Sequence, residues 1–354
     1  MKKIVSAALA LGCSVVLAAC GVEKGSYEPP EDKFGDSSEV SQGKDPRSFT
    51  GLTEVGEFDE IEPIVDDPKP QLPVEMTDSA GNDVVIKDTS RIIALDMQGT
   101  FTKTLTGLGM ADNIVGRATS STGEDIDDKP VVTQGGHNIN VEAVLKLKPS
   151  LLIVDPTVGP KEAIEQIRDA GVTTVVVEPN RTIDSVGDDI ITLADVVGLP
   201  DEGRKLAVEA VSDLEIALAE SEAMAPEKPL RMAFLYARGD GGTFFIMGKG
   251  TGAKEIIEGA GGVDVAAEND LGYAEPANAE SLARLNPDVF VMLDKGLESV
   301  GGLDGLLSRP GVKQTKAGMN ERVISLPEGQ SLAFGPQTAE VIQSLAKAVY
   351  TPGQ

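Results

Sequence analysis

The chain has 354 residues, a formal net charge of −26 and a single histidine. That length is more than one hydrophobic core usually holds and predicts two lobes of roughly 130 residues each. The acidity repels phosphate backbones and anionic headgroups alike, which excludes nucleic acid as a partner and assigns the charge to solubility.

Lys2-Lys3, an apolar run over residues 4–17 and Ala18-Ala19-Cys20-Gly21 read as a signal peptide spanning residues 1–19. The apolar run is shorter than a membrane span requires. Its end resembles the lipobox of bacterial lipoproteins, and the resemblance implies that Cys20 is lipidated and becomes the first residue of the mature chain. Two acyl chains anchor stably where one is marginal, so the expected location is the outer, extracytoplasmic face of the cell membrane. Cys13 falls in the removed segment and Cys20 is consumed by acylation, which leaves no thiol for a disulfide or metal cluster. After Cys20 the chain up to residue 72 is rich in Pro, Asp, Glu, Ser and Gly and lacks apolar periodicity. It is expected to be a disordered tether of about 50 residues with a root-mean-square span of roughly 40 Å.

An N-terminal lobe is expected over residues 73–182. It opens with alternating runs at 74–77 and 84–87 flanking a polar turn, a hairpin pattern. Strands over 92–95, 114–117, 131–133, 151–154 and 173–177 then alternate with helices over 100–108, 141–147 and 161–170, which argues for a parallel sheet covered by helices. A helical connector follows over 183–226, broken around Gly198-Leu199-Pro200. Its second part, with Leu206, Val208, Val211, Leu214 and Leu218 as the apolar face, is long enough to bridge the lobes. The C-terminal lobe, 227–354, is expected to repeat the scheme.

The evidence for repetition is a pattern that recurs about 140 residues on, as two copies of one lobe would require. Asn140-Val141-Glu142 leads to Pro149 and an apolar run, and Asn278-Ala279-Glu280 leads to Pro287 and another. Each copy reads as a capped helix, a stop and a buried strand. Arg91 to Asp96 is likewise matched by Arg231 to Tyr236, and Gly99-Thr100 with Lys103 by Gly250-Thr251 with Lys254. The glycines around Lys249 do not keep the spacing of a phosphate-binding loop and are read as a turn into a helix over 254–258.

Two lobes joined by one helical connector on a lipid anchor resemble the helical-backbone class of ABC-transporter substrate-binding proteins, over roughly residues 73–350. The resemblance implies an α/β fold of two Rossmann-like lobes joined by a long interlobe helix, with the ligand in the cleft between lobes that move little. It also implies a permease dimer with a cytoplasmic ATPase as partner, and in this class a glutamate on each lobe pairs with permease arginines. Glu142 and Glu280 match those positions. By themselves they need only favour a helix N-terminus, by a few tenths of a kcal/mol to about 1 kcal/mol.

His137 lies in Gln134-Gly135-Gly136-His137-Asn138, beyond the expected strand 131–133, where open α/β sheets bind ligands. The paired glycines let backbone approach a bulky partner, although a lone histidine also suits a structural role. Tyr236 ends the first strand of the second lobe, and alternation puts Arg238 on the same face. A guanidinium beside a phenol favours the phenolate, a hard ligand for ferric iron, and tyrosine and histidine are both axial haem ligands. The Gly-Gly-His137-Asn and Leu-Tyr236-Ala-Arg238-Gly segments resemble the haem-ligand segments of haem-binding lipoproteins of actinobacterial haem-uptake transporters. The resemblance implies ferric haem b clasped between His137 and Tyr236, with Arg238 hydrogen-bonded to the phenolate. Met292 and Tyr273 are read as secondary haem contacts, with ordinary packing the competing reading.

The function so implied is haem capture and delivery by a monomer without catalysis. A ferric-siderophore or cobalamin carrier of the same class is the alternative, although no cation cluster appears beyond Arg238 and the chain has no tryptophan. A zinc or manganese carrier would assemble several histidines and carboxylates. A secreted hydrolase would need a serine beside His137, and no Gly-x-Ser-x-Gly elbow is present.

Overall fold

Residues 45–239 and 242–352 are described by the computed structural model. The expected signal peptide, Cys20 and the tether up to residue 44 lie outside the described residues. Residues 45–72, expected as the rest of a disordered tether, instead run as an ordered strap across both lobes. The strap starts with a 3-10 turn, Pro46–Ser48, and β1, Leu52–Glu54, which pairs in parallel with strand Val323–Leu326. Phe58 is buried, and its N–H donates to Gln330 Oε1 at 3.1 Å. Further on, Ile64 N–H donates to Gly107 O at 2.8 Å and Gln71 N–H to Gly198 O at 2.7 Å. Gly109 permits the crossing, since a Cβ there would stand 2.1 Å from Val65 O. Composition missed the strap because its order comes mainly from backbone groups paired with distant elements, and few of its side chains are buried.

The hairpin forms as expected from β2, Val74–Thr77, and β3, Asp83–Ile86. Next come β4 (Ile92–Leu95), α1 (Thr100–Gly107) and β5 (Ile114–Arg117). The expected strand 131–133 is mostly absent. Thr133–Gln134 (β6) and Asn138–Ile139 (β7) form a small antiparallel hairpin instead. Then follow α2 (Val141–Lys146), β8 (Leu151–Val154), α3 (Lys161–Asp169) and β9 (Thr173–Val176). The main sheet has the order β5-β4-β8-β9 and is parallel throughout. Its central strands β4 and β8 are buried at every residue, as unbroken apolar runs in a parallel sheet must be.

The connector contains α4, Val186–Val196, and α5, Pro200–Met224, separated at Gly198 as the sequence suggests. No helix among the described residues is long and apolar enough to cross a membrane. The buried face of α5 differs from the expected one. Gly203, Leu206, Ala207, Ala210, Leu214, Ala217 and Ser221 are inside, whereas Val208 is 71% exposed. Small residues bring α5 close to its neighbours: a Cβ on Gly203 would stand 2.2 Å from Ala194 Cβ. Helix packing selected the small-residue face over the one with the larger apolar side chains.

The C-terminal lobe is built from β10 (Arg231–Arg238), β11 (Thr243–Met247), α6 (Ala253–Gly259), β12 (Val263–Asp264), α7 (Val265–Glu268), β13 (Ala274–Pro276), α8 (Ala279–Leu285) and β14 (Val289–Leu293). It continues with α9 (Asp294–Ser299), α10 (Gly302–Ser308), α11 (Lys316–Met319), β15 (Val323–Leu326) and α12 (Thr338–Tyr350). Its sheet follows β1-β15-β14-β10-β11-β13, with β12 also on β10. The parallel core β10-β14-β15 repeats β4-β8-β9, but β11 and β13 are antiparallel, so the repetition is partial. The capping Asn140 and Asn278 bond as expected, accepting from Ala143 N–H and from Glu280 and Ser281 N–H. The glycine match shifts by two positions: the left-handed cap equivalent to Gly99 is Gly252, not Gly250.

One apolar cluster joins the inner faces of both sheets through α4, α5, α6 and α12. A shared core opposes large lobe motion. Within this junction Lys103 of α1 is buried and donates to Gln337 Oε1 of the other lobe at 2.6 Å. Burial lowers its pKa to about 8 from 10.5, against the opposing pull of Glu60, Glu340 and Asp127. Between those pH values the unfolded chain binds more protons, so stability rises with pH by about 3 kcal/mol in full. Lys103→Met is expected to remove this rise. Urea denaturation at pH 7.5 and pH 10 checks it, and an equal rise in both proteins contradicts the assignment.

Candidate functional site

The end of β10 places the C-terminal half of the site. Tyr236 and Arg238 share a face by alternation, with Arg238 Cζ 4.9 Å from the centre of the Tyr236 ring. The guanidinium forms an ion pair with Glu328, and Nη1 donates to Ala237 O at 3.3 Å. Arg238 therefore lies over the ring face, corrected from the expected bond to the phenol oxygen. A cation there stabilises electron-rich forms of the ring through its quadrupole.

His137 is exposed on the turn of the β6–β7 hairpin, where Gly135 and Gly136 adopt φ of 58° and 85°. His137 O accepts from Gly159 N–H at 2.9 Å and Ile139 N–H donates to Gly159 O at 2.7 Å. These bonds fix the hairpin on the loop that follows β8, so His137 stands at the carboxyl end of the sheet without belonging to a sheet strand. Nδ1 is 3.1 Å from Gly135 O. In the tautomer that donates this bond, the Nε2 lone pair is available to a metal.

The lobes meet through loops at these carboxyl ends. A Cβ on Gly329, after β15, would stand 2.7 Å from Thr122 Oγ1 and 3.1 Å from Ser120 O, after β5. Ile183 N–H also donates to Glu255 Oε2 at 3.2 Å. Glu328, the partner of Arg238, immediately precedes Gly329, so Tyr236 and Arg238 border the seam from one side. Facing it from the other lobe is a network the sequence reading missed. Asp96 and Asp155, after β4 and β8, are fully buried. Asp96 accepts from the N–H groups of Gln98, Thr100 and Phe101. Asp155 accepts from Thr157 N–H at 2.8 Å and forms an ion pair with Arg181. Burial lowers the Arg181 pKa, while Asp96, Asp189 and the Tyr273 hydroxyl oppose that shift. Tyr273, 57% exposed, thus lies within electrostatic reach of the opposite lobe. An aspartate directly after an unbroken apolar run, twice in one lobe, was the available signal.

Met292 is fully buried in β14 among Leu235, Phe290 and Val323, on the sheet face away from Tyr236. Its reading as a secondary haem contact is withdrawn, because alternation turns the side chain into the core. Glu142 and Glu280 are exposed in the first turns of α2 and α8. The groove that His137 borders, about 660 Å³, is walled by residues 80–176 alone, including Thr157, Lys161 and Arg168.

A family model described as periplasmic binding protein matches residues 96–329. The crystal structure of the heme binding protein HmuT matches with a TM-score of 0.86 at 54% identity, covering 87% of this chain and 100% of HmuT. Three further HmuT structures carry alanine in place of a histidine, a tyrosine and an arginine. Their separations along HmuT equal those of His137, Tyr236 and Arg238 here. The apo periplasmic heme-binding protein RhuT from Roseiflexus sp. RS-1 matches at a TM-score of 0.69 and 32% identity, over 75% of this chain and 100% of RhuT. The uncharacterized ABC transporter substrate-binding lipoprotein YvrC of Bacillus subtilis (strain 168) is 25% identical over 281 residues, 79% of this chain and 86% of YvrC.

Proposed function

The chain belongs to the periplasmic binding protein family, and on that premise we propose that it captures haem between its lobes and delivers it to an ABC permease, as a carrier and not an enzyme. The observation that carries this reading is the 54% identity to heme-binding HmuT across 87% of the chain. In this reading His137 and Tyr236 are the axial ligands of a ferric haem. Arg238 supports the phenolate from the ring face, and Tyr273 stands at the rim of the same cleft. Anchoring through Cys20 on the extracytoplasmic face and a monomeric state belong to the same proposal. The matched spacing of the histidine, tyrosine and arginine supports the ligand assignment. Titrating the full chain with hemin tests it: saturable binding with a ferric visible spectrum distinct from free hemin is expected. A spectrum that stays the sum of its components removes haem as cargo.

Delivery rests on the exposed acidic residue at the same helical position in each lobe. Glu142→Arg and Glu280→Arg together are expected to leave hemin affinity unchanged and to reduce uptake by the cognate permease at least about tenfold, because like charges then meet across the docking face. Undiminished uptake by the double variant rules this docking out.

A further inference from the structure

Arg322 is 2% exposed and has no task in ligand capture. It directly precedes β15, at the end of the sheet opposite the cleft. Nη1 donates to Thr53 Oγ1 at 2.7 Å, Nη2 to Ala348 O at 2.5 Å, and Nε is buried without a partner. These acceptors are neutral, and the C-terminus of α12 supplies only a partial negative charge. Among the described residues no carboxylate is within ion-pair range of Arg322. Burial lowers its pKa to about 10. A guanidinium so placed is costly unless an anion accompanies it.

Beside it opens a cavity of about 180 Å³ whose walls also carry Arg47, Lys316, Asn320 and a single carboxylate, Asp288. Asp288 is already engaged, with Oδ1 3.1 Å from Lys316 Nζ and Oδ2 accepting from Arg231 N–H at 3.1 Å. Arg47 also pairs with Asp45 at 3.5 Å and donates to Lys228 O and Pro229 O. Of the three cations around this cavity Arg322 is therefore the one with no carboxylate among the described residues, in a chain of net charge −26. We propose that this cavity binds a phosphate group, held by Arg322, Arg47 and Lys316 at the base of the C-terminal lobe. The guanidinium fork suits tetrahedral oxyanions, and the volume is below the ~300 Å³ at which pockets for larger organic ligands begin. The site adjoins residues 46–49, where the described chain enters the body, so the phosphate is either free in solution or part of a lipid headgroup. The site is independent of the haem reading.

Calorimetric titration of the full chain with inorganic phosphate, at constant ionic strength against chloride, is expected to give one saturable site. Its affinity falls at least tenfold in Arg322→Gln and in Lys316→Gln, while hemin binding is unchanged. Lys316 is half-exposed, so its variant folds even where Arg322→Gln does not. Flotation with phosphatidylglycerol or phosphatidylcholine vesicles identifies the source. Excess retention on phosphatidylglycerol that Lys316→Gln abolishes, without heat from inorganic phosphate, assigns a headgroup. The site is overturned when neither probe binds, or when binding persists undiminished in Lys316→Gln.

Discussion

With Tyr236 as the proposed ligand, Tyr236→Ala is expected to lower hemin affinity by about a hundredfold, near 3 kcal/mol, and to change the visible spectrum of what still binds. A phenolate neutralises part of the ferric charge in the low-dielectric cleft, and alanine supplies neither charge nor lone pair. Met292 cannot substitute, since it is fully buried on the other face of the sheet. His137→Ala, which would remove the proposed opposite ligand, is expected to shift the spectrum in a different way, because the exposed hairpin turn offers no second imidazole in a chain with one histidine. Arg238→Ala is expected to have a smaller effect, since the guanidinium lies over the ring and already pairs with Glu328. Hemin titration monitored by absorbance checks all three. Spectra unaltered by both ligand substitutions would show that iron is held elsewhere.

The second large effect is on stability. Asp155→Ala costs about 3–5 kcal/mol, because it leaves Arg181 in the lobe seam without its ion-pair partner. The Arg181 side chain is only 12% exposed, so water cannot replace the carboxylate. Restoring an apolar pair with Asp155→Leu and Arg181→Met recovers most of the loss, since desolvation of both charges is then avoided. Denaturant unfolding of the two singles and the double forms a cycle with a coupling of at least about 1 kcal/mol. A strictly additive cycle contradicts the pairing. Hemin affinity in the double variant reports whether this network also shapes the cleft.

The candidate site residues could be picked out where chemistry is local. His137 and Tyr236 could be singled out because a lone imidazole beside paired glycines and a phenol two residues from a guanidinium are visible in the chain itself. Arg238's contact with Glu328 was not, because the partners come from different strands and meet only when β10 and the loop after β15 are brought together. The Asp155–Arg181 pair was hidden for the same reason: its members follow separate strands and become neighbours at the sheet's carboxyl end.

Sequence alone determined most of the succession of strands and helices in the N-terminal lobe, the Asn140 and Asn278 caps, the break at Gly198 and the partial duplication of the lobes. Each of these depends on side-chain periodicity or a backbone preference acting within a few residues. Only tertiary structure decided that residues 45–72 lie across both lobes, that α5 buries Ala207, Ala210 and Ala217 and leaves Val208 outside, and that Arg322 meets Arg47 and Lys316 around one cavity. Those outcomes depend on which distant surface arrives to cover a face or satisfy a backbone group, and no local pattern specifies that arrival.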